Sequence, residues 1–566
     1  MAMLQEERLP VLETEKLSSS YIPSDVELEQ IPSILKAKRL QQNLDRYNHE
    51  IEKLSDMLAA LRAQRDNLQH DMDQYKAVIS PARRIPIEVL TDIFSFCCFD
   101  GGNHAYSLEI STGRVFVPTL ILSQTCSLWR NIVKALPKLW SRLSINLARI
   151  GKGTTNLVEL YLRCSADKSL GINLFAHDAI LDERYSSFPY ADKLTASGWS
   201  VFFSILKEHI RWNDVRIDCH CYVLDAEHIG EYVDNPASWT SGHFEALRSL
   251  SLVCDDEAYF NSNHFFRMIR TKNTPLLDCL ELEHFLSEDL IIKFSGLRRL
   301  TIRTVGNDAN MFELFKNSTK LEEVVIFADW FDIEEEPEER EVITHEKLRS
   351  VKMEAEGPET FHAALMPFSF LTLPALVTLD LSNSIGNDSL YSAKNYLIEM
   401  LVRSSCALKV LKLSGDLFLS DEDLLDVLRL TPTVTRFTLD TRTRYFTQRF
   451  FCALALDNGP LSSSSRPHRN ILLPCLKEFK LAFEQEQSSV GSGTKYSLPD
   501  VAIILKMLNS RKSYSNALGL EQLTVFEISA RLLLDPASQR WGESLRSDLC
   551  IFPKERMELK ANVIFL

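Results

Sequence analysis

The sequence predicts a mixed α/β protein made of a long N-terminal helix, a small helical module and an irregular α/β solenoid. Three observations predict it: a 48-residue run free of Gly and Pro between Pro32 and Pro81, two apolar segments between residues 81 and 147, and an apolar-x-x-apolar-x-apolar triplet recurring from residue 247. At 566 residues the chain is too long for one core. Division by about 150 residues per domain gives roughly four units, fewer if one is an array. With 45% hydrophobic, 25% charged and 9% aromatic residues, composition excludes wholesale disorder, a collagen-like repeat and a disulfide mini-scaffold.

Sixty-three Lys and Arg against 77 Asp and Glu leave a net charge of -14, which repels a phosphate backbone unless a basic patch is segregated. Nucleic acid is therefore not an expected partner. The opening Met1 to Glu7 lacks a basic n-region followed by an apolar core, and no stretch approaches the ~18 apolar residues a membrane helix needs. These features predict a chain of the cytoplasm or nucleus with no membrane contact. Its 12 cysteines include no C-x-x-C pair and are expected as free, mostly buried thiols. The sequons at Asn317 and Asn387 carry no weight in such a compartment.

The Gly- and Pro-free run is rich in Leu, Ala, Glu, Lys, Gln and Arg, which lose little rotamer freedom in a helix. Steps of four and three residues select Leu40, Leu44, Tyr47, Ile51, Leu54, Leu58, Leu61, Arg65, Leu68, Met72, Tyr75 and Ile79, so 11 of 12 positions are apolar. A strict 3.5-residue period predicts a left-handed coiled-coil seam roughly 60 Å long. Self-association through residues 40–79 and a lone amphipathic helix folded onto the body both fit this pattern. The flanking Glu50, Ser55, Met57, Arg62, Gln64, Gln69 and Asp71 form no opposite-charge ladder that would name a partner or strand number. Arg65 marks a register device or turns outward.

Pro86 suits the first turn of a new helix, where its missing N–H would be unpaired, and Glu88 suits the positive end of the dipole. Ile85, Val89, Leu90, Ile93, Phe94 and Phe96 cover most of this short helix with apolar groups, more than one neighbour can bury. After the polar loop from Asp100 to Asn103, a second apolar segment from Pro118 to Leu139 carries Leu120, Leu122, Cys126, Leu128, Trp129, Ile132, Val133 and Leu136.

The pairing of RRIPIEVLTDIF with LSQTCSLWRNIVKALPKLWSRLSI resembles the F-box domain, in the variant of fungal proteins that place a coiled coil before the box. The resemblance covers about residues 80–147 closely and the rest of the chain loosely. It implies a three-helix module that docks on a Skp-type adaptor and tethers a substrate-binding domain to a cullin-based ubiquitin ligase. The family's opening Leu-Pro pair falls on Ile85 and Pro86, its Glu-[Ile/Leu]-Leu on Glu88, Val89 and Leu90, and its next inward hydrophobes on Ile93 and Phe94. Its Val-Cys-x-x-Trp-Arg falls on Thr125, Cys126, Trp129 and Arg130, with Thr125 replacing an apolar residue. Together with Leu122 these are the implied adaptor-binding residues. Some twenty residues, Asp100 to Thr119, stand where the family has a short Asp-Pro turn and its second helix.

Ten triplets recur, with first anchors Leu247, Leu277, Leu297, Leu321, Leu348, Leu376, Leu408, Val434, Leu476 and Leu520. Chance alone produces such a triplet about once in eleven residues, so the count by itself decides nothing. Phase does. Proline stands two residues before the first anchor in four of the ten copies (Pro275, Pro374, Pro432, Pro474), where composition predicts about 0.4. Helix-like pieces (309–315, 395–402, 421–430 and 501–508) lie between triplets. The first seven spacings run from 20 to 32 residues and the last two are 42 and 44, lengthened by insertions at 460–467 and 485–495. This predicts an irregular leucine-rich-repeat solenoid, strands on the concave face and helices on the convex one. Asn is absent from the usual ladder position, so the likeness is to the degenerate repeats of F-box proteins.

Motifs for other chemistry fail on spacing. Gly151 to Thr155 lacks the distal Gly and the Ser or Thr of a phosphate loop, since Asn146 and Gly153 occupy those places. His345-Glu346 lacks a second His, because position 349 is Arg, and Cys219-His220-Cys221 is too tight for a tetrahedral site; both are expected as solvent-facing turns. No G-x-S-x-G elbow or cysteine-nucleophile signature occurs, so no catalytic residue, metal or cofactor is expected. The acidic run from Glu334 to Glu341 reads as a solvated loop or a contact for a basic partner.

The expected organisation is a flexible N-terminus at 1–31, a long helix at 32–80, an F-box-like domain at 81–147, an irregular lead-in at 148–246, the solenoid at 247–530 and a C-terminal cap at 531–566. The expected function is a non-catalytic substrate receptor of a Skp-adaptor, cullin and F-box ubiquitin ligase with an unidentified protein target. The alternative is an interaction scaffold that assembles no ligase.

Overall fold

The computed structural model describes residues 38–79, 81–99, 106–111, 114–176, 194–219, 229–231, 244–253, 274–286, 296–332, 341–383, 392–442, 448–456, 471–485, 498–514, 520–552 and 557–565, with single positions before residue 38. Nearly all of 1–31, the acidic run at 334–340, His220, Cys221 and the insertions at 460–467 and 486–495 lie outside them. The chain divides into two compact units, Met1–Leu90 and Thr91–Leu566.

In the first unit the predicted long helix is present as α1 (Lys38–Ile79). Its seam is uncovered: Leu44, Tyr47, Ile51, Leu54, Leu58, Leu61, Leu68, Met72, Tyr75 and Ile79 are all between 45% and 75% exposed. Arg65 turns outward and pairs with Asp66 at 2.6 Å. A 3-10 turn (Pro81–Arg84) leads to α2 (Ile87–Phe99), inside which the division between the units falls; its N-terminal hydrogen bond runs from Leu90 N–H to the Pro86 carbonyl at 3.0 Å.

The second unit is mixed α/β, built on a long, mostly parallel sheet. A short antiparallel pair, β1 (Leu108–Ser111) and β2 (Arg114–Phe116), opens it, and α3 (Pro118–Thr125) and α4 (Ser127–Lys134) follow. The twenty residues expected as an insertion in the box thus supply the first strands of the sheet. Next come β3 (Arg142–Asn146), α5 (Lys152–Cys164), β4 (Leu170–Phe175), α6 (Ala196–Leu206), β5 (Trp212–Asp218), β6 (Ser249–Val253), β7 (Cys279–Leu286) and β8 (Arg299–Asn307). They continue with α7 (Asp308–Asn317), β9 (Glu323–Asp332), β10 (Ile343–Thr344), β11 (Ser350–Ala355), α8 (Pro358–Leu365), β12 (Leu371–Thr372) and β13 (Thr378–Asn383). The rest comprises α9 (Lys394–Ser404), β14 (Val410–Ser414), α10 (Asp421–Arg429), β15 (Arg436–Arg442), α11 (Gln448–Leu454), β16 (Glu478–Glu484), α12 (Val501–Tyr514), β17 (Val525–Leu532), α13 (Pro536–Ile551) and β18 (Glu558–Phe565).

Among the described residues sixteen strands pair in one sheet, in the order β2-β1-β3-β4 and then in chain order to β18, with β10 and β12 forming a separate parallel pair. Sequential parallel strands favour right-handed crossovers, which carry connecting helices on one face. Burial alternates accordingly: β11 and β13 each alternate half-exposed with buried residues along their length. The buried face is two unbroken columns of apolar side chains. One runs through Leu300, Val324, Val351, Leu379, Leu411, Phe437 and Phe479, the other through Ile302, Ile326, Met353, Leu381, Leu413, Leu439 and Leu481.

These columns are the second and third positions of the sequence triplets, and nine triplets sit in frame. The tenth does not. Phe526 and Ile528 pair with Phe479 and Leu481, so the copy is Leu523-x-x-Phe526-x-Ile528, three residues later than the frame opened by Leu520. Both frames are apolar at every anchor, and only the ladder distinguishes them. The same triplet also occurs upstream as Trp140-Leu143-Ile145 and Trp212-Val215-Ile217, all buried, so the ladder begins well before residue 247.

Three other expectations are corrected. His345 is buried and not part of a solvent-facing turn: its Nε2 donates to the Phe315 carbonyl at 2.9 Å. Cys219 is likewise buried at the end of β5. Of the ten described cysteines only Cys98 and Cys219 are buried, and Cys97, Cys452 and Cys550 are exposed.

Candidate functional site

Two surfaces stand out, one on α2 and one on the uncovered face of the sheet. In α2 the i, i+4, i+8 series Leu90, Phe94 and Cys98 is buried, at 1%, 0% and 0% exposure. A second apolar series at i, i+4 and i+7, Val89, Ile93 and Phe96, remains 46%, 41% and 66% exposed. Helical periodicity sets the two series on different sides of the helix. Phe94 packs edge-on against Trp129 with ring centroids 4.9 Å apart.

The remaining implied adaptor residues divide by role. Pro86 and Glu88 are exposed, whereas Ile85 and Leu122 are half-buried. Cys126 caps α4: its Sγ accepts the Trp129 backbone N–H at 3.4 Å. Arg130, though exposed, donates Nε to the Ser123 carbonyl at 3.0 Å and so joins α4 back to α3. Leu90, Phe94, Cys126 and Trp129 therefore build this region, and Pro86, Glu88, Val89 and Ile93 face outward. The implied adaptor-binding set leaves out Ile121 and also Phe96, which the sequence reading names only among the apolar residues of the helix; both are strongly exposed, at 58% and 66%. The signal was available as a second 3.6-residue series offset from the Leu90 series.

The uncovered face of the sheet carries both signs of charge in register. Lys412 on β14 pairs with Asp380 on β13 at 3.0 Å, and Lys480 on β16 with Glu527 on β17 at 3.1 Å. Arg303 on β8 pairs with Glu283 on β7 at 3.0 Å, and Arg216 on β5 reaches Glu281 on β7 at 3.4 Å. Phe327 on β9 lies between two cations from flanking strands, Arg303 and Lys352, each 5.0 Å from its ring centre. Exposed pairs of this kind contribute only about 0–1 kcal/mol each to stability. What they fix is a pattern of charge, set by strand register, on a face left open to solvent.

Clefts beside Leu413 and Phe418 and beside His362 and Tyr396 have no more room than about one water needs. Among the described residues, no group of three or more His, Cys, Asp or Glu is placed to hold a metal ion, and no helix is long and apolar enough to cross a membrane. Comparison with known families and curated proteins finds no matching family model and no matching protein.

Proposed function

We propose that the chain is the substrate-recognition subunit of a Skp-adaptor, cullin and F-box ubiquitin ligase. In this reading residues 81–147 dock the adaptor as an F-box, the parallel sheet with its helices is a degenerate leucine-rich-repeat solenoid, and the open face of the sheet holds a protein target. The observation that carries the reading is the uncovered Val89, Ile93 and Phe96 series on the helix of the segment that resembles the box. Anchors at i, i+4 and i+7 are the spacing by which an amphipathic helix enters an apolar groove. The open face supports the second half, because a row of fixed, alternating charges around Phe327 suits a polar protein surface.

The chain contributes no reacting group; it raises the local concentration of the target's lysines near a ligase supplied by its partners. The test is co-purification of the full chain with a Skp-type adaptor and a cullin. Ile93→Glu/Phe96→Glu is expected to lose both partners while leaving the melting temperature unchanged, because neither side chain is buried. Undiminished capture by this double variant would move the adaptor interface away from Ile93 and Phe96, and absence of adaptor from the wild-type complex would leave the scaffold without ligase as the reading.

A further inference from the structure

We propose that the α1 seam pairs with the seam of a second copy of this chain, as a parallel, in-register, two-stranded coiled coil. This goes beyond the adaptor reading and is independent of it. The ten seam side chains from Leu44 to Ile79, between 45% and 75% exposed, offer roughly 1,000 Å² per copy, taking about 100 Å² each, hence roughly 2,000 Å² in a pair, the upper end of a standard stable interface. About five heptads of helix left bare over that length form a face that a partner of the same period must cover.

The occupant follows from the positions beside the seam. With Leu54, Leu61 and Leu68 at d and Ile51, Leu58 and Arg65 at a, a parallel pair brings each g residue against the e residue five positions on in the other copy. Those pairings are Glu50 with Ser55, Met57 with Arg62, Gln64 with Gln69 and Asp71 with Lys76; none sets like charges together and the last attracts. An antiparallel pair aligned over the same span sets Glu50 against Asp71 twice, which repels. The seam is thus complementary to itself in one orientation. Ile51 and Ile79 at a together with Leu54, Leu61 and Leu68 at d match the two-stranded preference. Arg65 acts in the same direction: its guanidinium already lies outward on Asp66, a position two strands leave open and three strands would crowd. Two copies joined this way present two α2 surfaces and two open sheet faces, so a target with repeated motifs is held with avidity.

The experiment is sedimentation equilibrium of the full-length chain, with circular dichroism as the check on folding. Wild type is expected to be a dimer at micromolar concentration and Leu54→Glu/Leu61→Glu a monomer with the sheet signal retained. Asp71→Lys weakens the dimer roughly tenfold and Asp71→Lys/Lys76→Asp restores it, because residues five apart on one helix do not meet and only a cross-chain pair can be rescued. Arg65→Leu tightens association or admits a third strand. A wild-type monomer at all concentrations overturns the proposal, as does a trimer, and tightening by Asp71→Lys overturns the parallel orientation.

Discussion

Trp212 repeats what Trp140 does. Each indole N–H donates to the carbonyl seven residues earlier, Ile205 at 3.1 Å and Val133 at 2.9 Å, and each of those carbonyls also accepts the backbone N–H three residues on. Both tryptophans stand at or just before the start of a strand, and the α-helix before each ends one residue past that carbonyl. The bond therefore ties a helix end to the strand it feeds, in two successive parts of one ladder. Trp212→Phe removes the donor and some volume and should lower stability by about 2 kcal/mol, whereas Trp212→Ala should cost about 3–5 kcal/mol. Thermal melts of the two variants beside the wild type check the order.

Glycines at two positions should answer oppositely to alanine. Gly415 has φ of 84°, and a Cβ there would lie 2.1 Å from the Asn383 carbonyl oxygen of the neighbouring strand. Gly415→Ala should destabilise by about 3 kcal/mol or more. Gly153, in the first turn of α5, has open space around it, so Gly153→Ala should be neutral or stabilise by up to about 1 kcal/mol. Equal melting temperatures for the two variants would contradict this.

Acid should weaken the array through His345. Burial holds its pKa below the usual histidine value, its Nε2 donates to Phe315, and Nδ1 has no partner among the described residues. A depressed folded pKa means that the unfolded chain binds the proton first. The stability this group contributes is complete above about pH 6.5 and falls as pH drops toward the folded value. His362 is depressed in the same direction by burial. Melting temperature should therefore decline from pH 7 to pH 5, and less steeply in His345→Gln. A parallel decline in both proteins would assign the effect to other groups.

Arg511 should tolerate no substitution, lysine included. It is 1% exposed and donates to the carbonyls of Leu454, Leu472 and Leu473, with burial pushing its pKa down to about 10, so it remains charged at neutral pH. Leu473 has a positive φ of 47° that this clamp helps hold. Arg511→Leu leaves carbonyls without a donor and should cost about 3 kcal/mol or more; Arg511→Lys lacks the planar fork and should recover less than half of that. Urea titration of both variants measures the difference.

Much of the ladder was legible in the sequence because its signal is local. A strand of this array needs two inward side chains two residues apart and a third at its entry, and Leu379, Leu381 and Leu376 display that in six residues. The tenth copy was misframed because Leu520, Leu523 and Val525 satisfy the same local rule as Leu523, Phe526 and Ile528, and the choice is made only by pairing with β16. Trp140 and Trp212 go uncounted as anchors because the triplets are counted only from residue 247, although the spacing is intact upstream. The α2 surface was half legible. Leu90 and Phe94 matched a motif, but the motif does not say which of its apolar residues face inward, and burial assigns that part to them while Ile93 and Phe96 stay outside.

The strands that arise inside the box-like segment carry a mechanical consequence. Phe94 leans on Trp129, the helix of Trp129 ends beside Val133, Val133 holds Trp140, and Trp140 leads directly into β3, which pairs with β1. Among the described residues each of these contacts passes directly to the next, so torque applied at Phe94 is expected to reach the first rungs of the ladder. Whatever grips one end sets the aim of the other.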